Sequence, residues 1–370
     1  MKIAINTRLL VKDKLEGIGR FTFEILKRIT INHPEHQFVF LFDRKPDEVF
    51  KFSSNVELQK ISPPTRHPLL IKWWFDFSIP SVLKKIKPDV FISPDGFLPK
   101  TNACPLIPVF HDLNFEHYPN FLPYSIARLY KKRFPVYANK SSKIITVSNF
   151  SKQDIIKTYN IEESKIDVVY NAVSSNFNIL DEEERTQVRK EFSVGKQYFV
   201  YVGSLHERKN IHGLLKAFSL FKEKSGSDMK LLLVGEKMWA TAPISEGLLK
   251  DVLFLGRLND EELARVMASA FALTYFSFYE GFGIPLIEAM NCGVPVLCSN
   301  VTSLPEVGSD ACLLASPESV EEMSTVMFQL VQNDDLRNSL IEKGFRRVKD
   351  FSWDESAEKF MKTILSIKKA

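Results

Sequence analysis

Short apolar runs rich in β-branched and aromatic residues recur along the chain, several separated by segments with helical spacing of apolar positions. In the first half they read KIAIN, FVFLF after Gln37, DVFIS after Pro88, LIPVFHD, KIITVS and DVVYN. A second series reads YFVYVG, KLLLVG, DVLFLG, FALTYF, PVLCS and ACLLA. Strands alternating with helices predict parallel sheets made of βαβ units, hence an α/β protein with two Rossmann-like halves. Between the series lies the polar, charged stretch SSNFNILDEEERTQVRKEFSVGK, where the boundary is placed, with residues 1–174 in the first domain and 175–353 in the second. The final stretch WDESAEKFMKTILSIKKA carries apolar residues at Trp353, Ala357, Phe360, Met361, Ile364 and Leu365, which predicts an amphipathic helix packed on the body.

At 370 residues, 45% apolar and 25% charged, the chain is too long for one hydrophobic core and has an ordinary globular composition. Its formal charge of +4 falls far short of a nucleic-acid footprint. The four cysteines, Cys104, Cys292, Cys298 and Cys312, lack CxxC spacing and read as reduced and mostly buried. Asn6 and Arg8 interrupt the N-terminal apolar run, and no uncharged apolar stretch reaches the ~18 residues of a membrane span, so a cytoplasmic location is expected. One segment, HPLLIKWWFDFSIPSVLKKIKP from His67 to Pro88, mixes aromatics with lysines. It suits a peripheral contact with a membrane surface or a large acceptor; the ordinary reading is a helix whose Trp73, Trp74 and Phe77 belong to the core.

The stretch YEGFGIPLIEAMNCGVPVLCSN, Tyr279 to Asn300, reads as loop, helix and strand. Pro285 suits a first helical turn and Gly293 a helix stop. Gly281 and Gly283 let a ligand approach the main chain, and the helix start offers unpaired amides and a positive dipole end to phosphate oxygens. Glu280 and Glu288 flank this cradle. A nucleotide sugar matches that layout, having hydroxyl-bearing groups at both ends and a diphosphate between them. The alternative is a glycine-rich loop with two solvated carboxylates.

A second constellation, YVGSLHERKNIHGLLKAF, ends a strand at Gly203 and places Arg208 and Lys209 just before a helix beginning near Ile211. Arg by its fork and Lys as a compact charge suit a diphosphate leaving group; a solvated basic turn is the alternative. There is no Asp-x-Asp and no HxxxH or HExxH arrangement, so no catalytic metal is inferred. In the first half, VFHDLNFEHYP puts His111 at a strand end, where a doubly wound sheet meets its ligand. LEGIGRFTFEIL places Gly17 and Gly19 ahead of a helix. The dinucleotide fingerprint fails because Thr22 stands where a third glycine belongs. The pair reads as a mobile lip over substrate or a plain helix entry.

Together these stretches resemble the retaining, nucleotide-sugar-dependent family 4 glycosyltransferases over nearly the whole chain: GIGRF, FHDL, ITVSNFSK, VVYNAV, VGS with ERKN, LLLVG, DVLFLGRL with NDEEL, and the spaced Glu pair. The resemblance implies a GT-B architecture of two Rossmann-like domains facing a cleft. The first domain would bind acceptor, the second donor, and a last helix, 354–370, would return to the first. It implies that Glu280 faces the transferred sugar, Glu288 the ribose, and Arg208 with Lys209 the diphosphate. Main chain at Gly203, Ser204, Gly281, Phe282, Gly283 and Ile284 would meet the donor, Gly256, Arg257 and Leu258 the base, His111 the sugar, and Gly17 and Gly19 both substrates. Many family members carry Arg where this chain has Ser204, which removes one cation. The implied activity is metal-independent transfer of a hexose, mannose or glucose, from a GDP- or UDP-sugar to a saccharide or lipid-linked acceptor in polysaccharide biosynthesis. Likeness to mannosyl-type members favours GDP-mannose. The rival classes are a non-catalytic nucleotide-sugar-binding protein and a glycoside hydrolase or phosphorylase.

Overall fold

The computed structural model describes residues 1–15, 17–236 and 246–367. Two compact units emerge from the contacts, Met1–Asn171 with Ser352–Ala370, and Ala172–Phe351.

The first unit holds a seven-stranded parallel sheet: β1 (Lys2–Asn6), β2 (Gln37–Phe42), β3 (Val56–Lys60), β4 (Val90–Ser93), β5 (Leu106–Phe110), β6 (Ile144–Thr146) and β7 (Ile166–Val168), in the order β3-β2-β1-β4-β5-β6-β7. The second holds a six-stranded parallel sheet: β8 (Tyr198–Val202), β9 (Lys230–Val234), β10 (Val252–Gly256), β11 (Ala272–Tyr275), β12 (Val296–Ser299) and β13 (Cys312–Ala315), in the order β10-β9-β8-β11-β12-β13. Both are doubly wound. The direction of winding reverses between β1 and β4 in one sheet and between β8 and β11 in the other, and ligand crevices of such sheets open at the carboxyl ends of those strands. Strands covered on both faces need apolar residues at every position; β4, β5, β8, β11 and β12 are buried throughout.

The structure adds two elements that the sequence reading did not mark. β3, read from VELQK, was not anticipated; it is an edge strand in which only Val56 is buried, so it lacks the apolar run that marks its neighbours. The polar stretch chosen as boundary contains the helix Glu182–Ser193, closed at its start by a reciprocal capping box between Asp181 and Glu184. A run of acids at a helix N-terminus complements the backbone dipole, so local electrostatics rather than an apolar stripe encodes it.

The C-terminal helix, Trp353–Leu365, belongs to the first unit. Trp353 and Phe360 both meet Phe21 edge-on, at 6.2 and 6.3 Å between ring centroids, and Ser356 donates to the Tyr170 carbonyl at 2.8 Å. The expected apolar stripe is buried except for Leu365. Residues 368–370 of that stretch lie outside the described residues. All four cysteines are free, three of them buried and Cys104 partly so.

The reading of Trp73, Trp74 and Phe77 as one core set is corrected. Trp74 is buried and its indole donates to the Ile61 carbonyl at 3.0 Å, but Trp73 and Phe77 are exposed. Helical phase explains this: positions four apart share a face, and Trp74 lies one residue off it.

Candidate active site

At the reversal between β8 and β11, two adjacent basic side chains meet a carboxylate 71 and 72 positions away in sequence. Gly203 directly follows β8, with φ +148°, and a Cβ there would stand 2.8 Å from the Tyr201 hydroxyl. The chain then passes Ser204, whose carbonyl accepts from that hydroxyl at 3.0 Å, and forms a 3-10 turn over Glu207–Lys209 capped by the His206 side chain. Asn210, left-handed at φ 54°, caps the helix Ile211–Ser225 through its side chain. This turn aims Arg208 and Lys209 at the loop after β11. The Lys209 ammonium donates to the Glu280 carboxylate at 2.6 Å and to the Tyr275 hydroxyl at 2.8 Å. Arg208 approaches the other carboxylate oxygen at 3.2 Å and donates to the Tyr279 carbonyl.

Lys209 and Glu280 are only 8% and 6% exposed. Burial works against ionising Glu280, yet attraction from Lys209 and Arg208, with the Lys209 hydrogen bond, overrides it and holds the carboxyl at about 2. Burial, followed by the Glu280 charge, pushes the Tyr275 hydroxyl well above its ordinary value of 10, so Tyr275 stays protonated. One carboxylate between two cations leaves a single positive charge in a site from which much water is excluded, where it acts on an anion more strongly than in bulk.

The glycine loop closes the site. Gly283 adopts φ +103°, and a Cβ there would meet Leu304 at 2.6 Å. It forms the N-cap of the helix Ile284–Asn291, with Pro285 in the first turn and no side chain capping the helix start. Phe282 is buried, and Ser303 Oγ lies 3.0 and 2.9 Å from the carbonyls of Glu280 and Phe282, pinning the loop from β12's far end. Glu288 is buried one turn further along this helix, and its charge helps burial raise the Cys292 thiol to about 12. Gly256 ends β10 with φ +67° and its carbonyl accepts from Gly235 N at 2.8 Å, followed by Arg257 and Leu258. Gly235 itself passes so close to Gly203 that a Cβ would fall 1.9 Å from that residue's carbonyl oxygen.

In the first unit, His111 follows β5 at the carboxyl edge. Its Nε2 lies 2.9 Å from the Pro94 carbonyl, which as an acceptor fixes the proton on Nε2 and leaves Nδ1 with its lone pair. Burial depresses its pKa below 6.5, outweighing the Pro94 bond and the nearby Asp112 and Asp95 charges, so the ring is neutral. Gly17 and Gly19 correct the expected position ahead of a helix: they lie inside the first turn of the helix Gly17–Asn32. Gly19 allows that turn to pack against the chain, since a Cβ would sit 2.9 Å from the Leu9 carbonyl oxygen, whereas nothing lies within 4 Å of a Cβ on Gly17.

Sequence reasoning separated Glu280 from Arg208 and Lys209; the fold joins them. It also passed over a polar knot at β1 and β4, where Arg8 forms an ion pair with Asp95 and stands over the rings of Phe75 and Phe97 at 5.8 and 5.6 Å. Asn6 donates to Ser93 Oγ at 3.0 Å, and Ser93 to Asp95 at 3.0 Å. The available signal was the polar run NTR directly after an apolar strand. Thr302 and Ser303, after β12, were also missed; Thr302 Oγ1 accepts from the Glu280 amide at 3.2 Å. No cluster of three or more metal-ligating side chains occurs among the described residues.

Comparison with known proteins agrees with this architecture. The family model for glycosyl transferases group 1 matches residues 182–347, and that for glycosyltransferase family 4 matches residues 15–177. The O-antigen chain mannosyltransferase B of Escherichia coli is 32% identical over 96% of this chain and 97% of its own. The O-antigen chain mannosyltransferase RfbU of Salmonella typhimurium is 30% identical over 61% and 60%. Among solved structures, WaaG, a glycosyltransferase involved in lipopolysaccharide biosynthesis, superposes with a TM-score of 0.77 at 17% identity, covering 99% and 100% of the two chains. HepE from Anabaena in complex with UDP-glucose gives 0.74 at 18%, also covering 99% and 100%. A full-length relative above 30% identity and family models over both halves establish that the chain belongs to the family 4 glycosyltransferases, with the GT-B fold.

Proposed function

We propose that this glycosyltransferase moves a hexose from a nucleoside diphosphate sugar to a saccharide or lipid-linked saccharide in polysaccharide biosynthesis, retaining the anomeric configuration and using no catalytic metal. The observation that carries the reading is the buried Glu280 carboxylate held between Arg208 and Lys209 beside an uncapped helix start. The net positive charge and the helix amides at Ile284 complement a diphosphate. Glu280, already ionised and immobilised, accepts from sugar hydroxyls. Glu288 takes the ribose, Gly256, Arg257 and Leu258 the base, and the glycines at 203, 281 and 283 let the donor lie against main chain beside Ser204 and Phe282.

In the reaction, the C1–O bond to the diphosphate breaks while the acceptor oxygen bonds C1 on the same face, and the acceptor proton passes to the departing diphosphate. Leaving-group charge falls on Arg208, Lys209 and backbone dipoles, the terms that dominate such transfers. His111, neutral and with Nδ1 unprotonated, accepts from a hydroxyl of the reacting sugar without adding charge near an oxocarbenium-like centre, and Gly17 keeps the helix start open to both substrates.

Mannose is the favoured hexose because the O-antigen relatives are mannosyltransferases, and GDP-mannose the favoured donor. A donor screen with a chelator present, scoring nucleotide release and product anomer, tests this. Release from GDP-mannose with an α-linked product is expected. Release only with added metal, an inverted product, or hydrolysis of simple glycosides would contradict the reading.

A further inference from the structure

The helical segment Pro68–Ile86 of the first unit carries a π turn at Trp74–Ser78, and π turns concentrate at functional positions. Its inner face is ordinary core: Trp74, Phe75, Ile79 and Leu83 are buried. Its outer face is not an ordinary surface. Leu69, Trp73 and Phe77, at four-residue spacing, are 69%, 55% and 58% exposed, and the Trp73 and Phe77 rings lie 4.8 Å apart. Large apolar side chains aligned on a solvent face lose hydrophobic stabilisation unless something covers them.

The charge around this stripe is one-sided. A second helix, Tyr124–Lys140, is tied to the segment by a bidentate Arg133–Asp76 pair at 2.7 and 2.8 Å, and both pack on one cluster through Phe97. Residues 66–87 and 124–140 together contain ten Lys and Arg and one acid, Asp76, in a chain whose whole excess is +4. The remainder of the chain is therefore net acidic, and the positive charge is gathered beside the exposed aromatics. Beyond Phe77 the same helical line ends in the exposed Lys84 and Lys85.

We infer that this face, Leu69, Trp73 and Phe77 with the flanking lysines, docks the protein on the surface of an anionic lipid bilayer. Aromatic and leucine side chains enter the boundary between headgroups and acyl chains, while lysine and arginine stems extend to the phosphates. A helix lying in the interface needs no groove and no spanning length, and no helix among the described residues is long and apolar enough to cross a membrane. The inference stands apart from the choice of donor and sugar, and it gives a lipid-linked acceptor a surface on which to be met.

Co-sedimentation of the full chain tests it, with vesicles of phosphatidylcholine alone or mixed with phosphatidylglycerol. The wild type should partition onto the mixed vesicles, with weaker binding at high salt. Trp73→Ser with Phe77→Ser should weaken partitioning roughly tenfold or more. Lys84→Glu with Lys85→Glu should weaken it by a similar factor and remove the preference for anionic lipid. All four positions are exposed, so thermal unfolding and transfer to a water-soluble acceptor should match the wild type, which keeps failure of docking separate from failure of catalysis. A wild type that ignores the mixed vesicles, or variants that bind them equally well, would overturn the proposal. So would a wild-type dimer that Trp73→Ser with Phe77→Ser converts to monomers, since the stripe would then be covered by a second copy.

Discussion

The two sheets reverse winding at equivalent places, and the chemistry at the two reversals is different. Between β8 and β11, one carboxylate meets two cations and the sum is positive. Between β1 and β4, Arg8 is matched by Asp95 and walled by Phe75 and Phe97, and His111 beside them is neutral. Topology supplies a crevice in both cases; the side chains at the strand ends decide what each attracts. One gathers a net positive charge, and the other pairs its cation with a single carboxylate.

Removing Lys209 should break this contrast most severely. Lys209→Ala takes the nearer cation from a buried carboxylate, so a stability loss of about 3 kcal/mol is expected from the uncompensated charge, together with a fall in turnover on the order of 10²-fold. Adding Glu280→Gln should recover much of the melting temperature and none of the turnover. Separate recovery of the two quantities distinguishes a structural ion pair from a leaving-group clamp. Arg208→Ala should lower turnover by a similar ~10²-fold with a smaller stability loss, since Arg208 is less buried and Lys209 still neutralises Glu280.

The acid limb of stability sharpens the comparison. Glu280's carboxyl is held at about 2 in the fold against an ordinary 4.5. Its contribution is complete above pH 4.5 and is lost as pH falls towards 2, because only the unfolded chain binds the proton in that window. Denaturant melts of the wild type should show this slope, and Glu280→Gln should lack it. His111 contributes at higher pH. Its folded pKa lies below 6.5, so stability should decline as pH falls through 6.5, and His111→Gln should flatten that part of the curve. The smallest effect belongs to Gly19→Ala, where a Cβ crowds the Leu9 carbonyl; a drop in melting temperature of a few degrees, corresponding to about 1 kcal/mol, is expected.

The arrangement of the two sheets was partly legible in the sequence. Among the described residues, twelve strands announce themselves as apolar runs and only polar β3 stays silent. Glu280, Gly283 and Pro285 can be read as a cradle because the local signals are contiguous. That Glu280 is gripped by residues 71 and 72 positions away is a consequence of β8 pairing with β11, which no local pattern encodes. The Arg8–Asp95 pair spans 87 positions and escaped notice for the same reason. Trp73 and Trp74 show the limit most sharply: identical residues in adjacent positions, one donating a hydrogen bond in the core and one in solvent, separated only by helical phase.

The central claim is that Arg208 and Lys209, oriented by Glu280, bind the donor through its diphosphate. Titration calorimetry of GDP and GMP into the wild type and Arg208→Ala tests it directly. The account predicts that the wild type prefers GDP to GMP by at least roughly tenfold, as expected for a charge-assisted contact with the added phosphate, and that Arg208→Ala loses most of this preference while binding GMP as before. Equal GDP preference in the two proteins would contradict it.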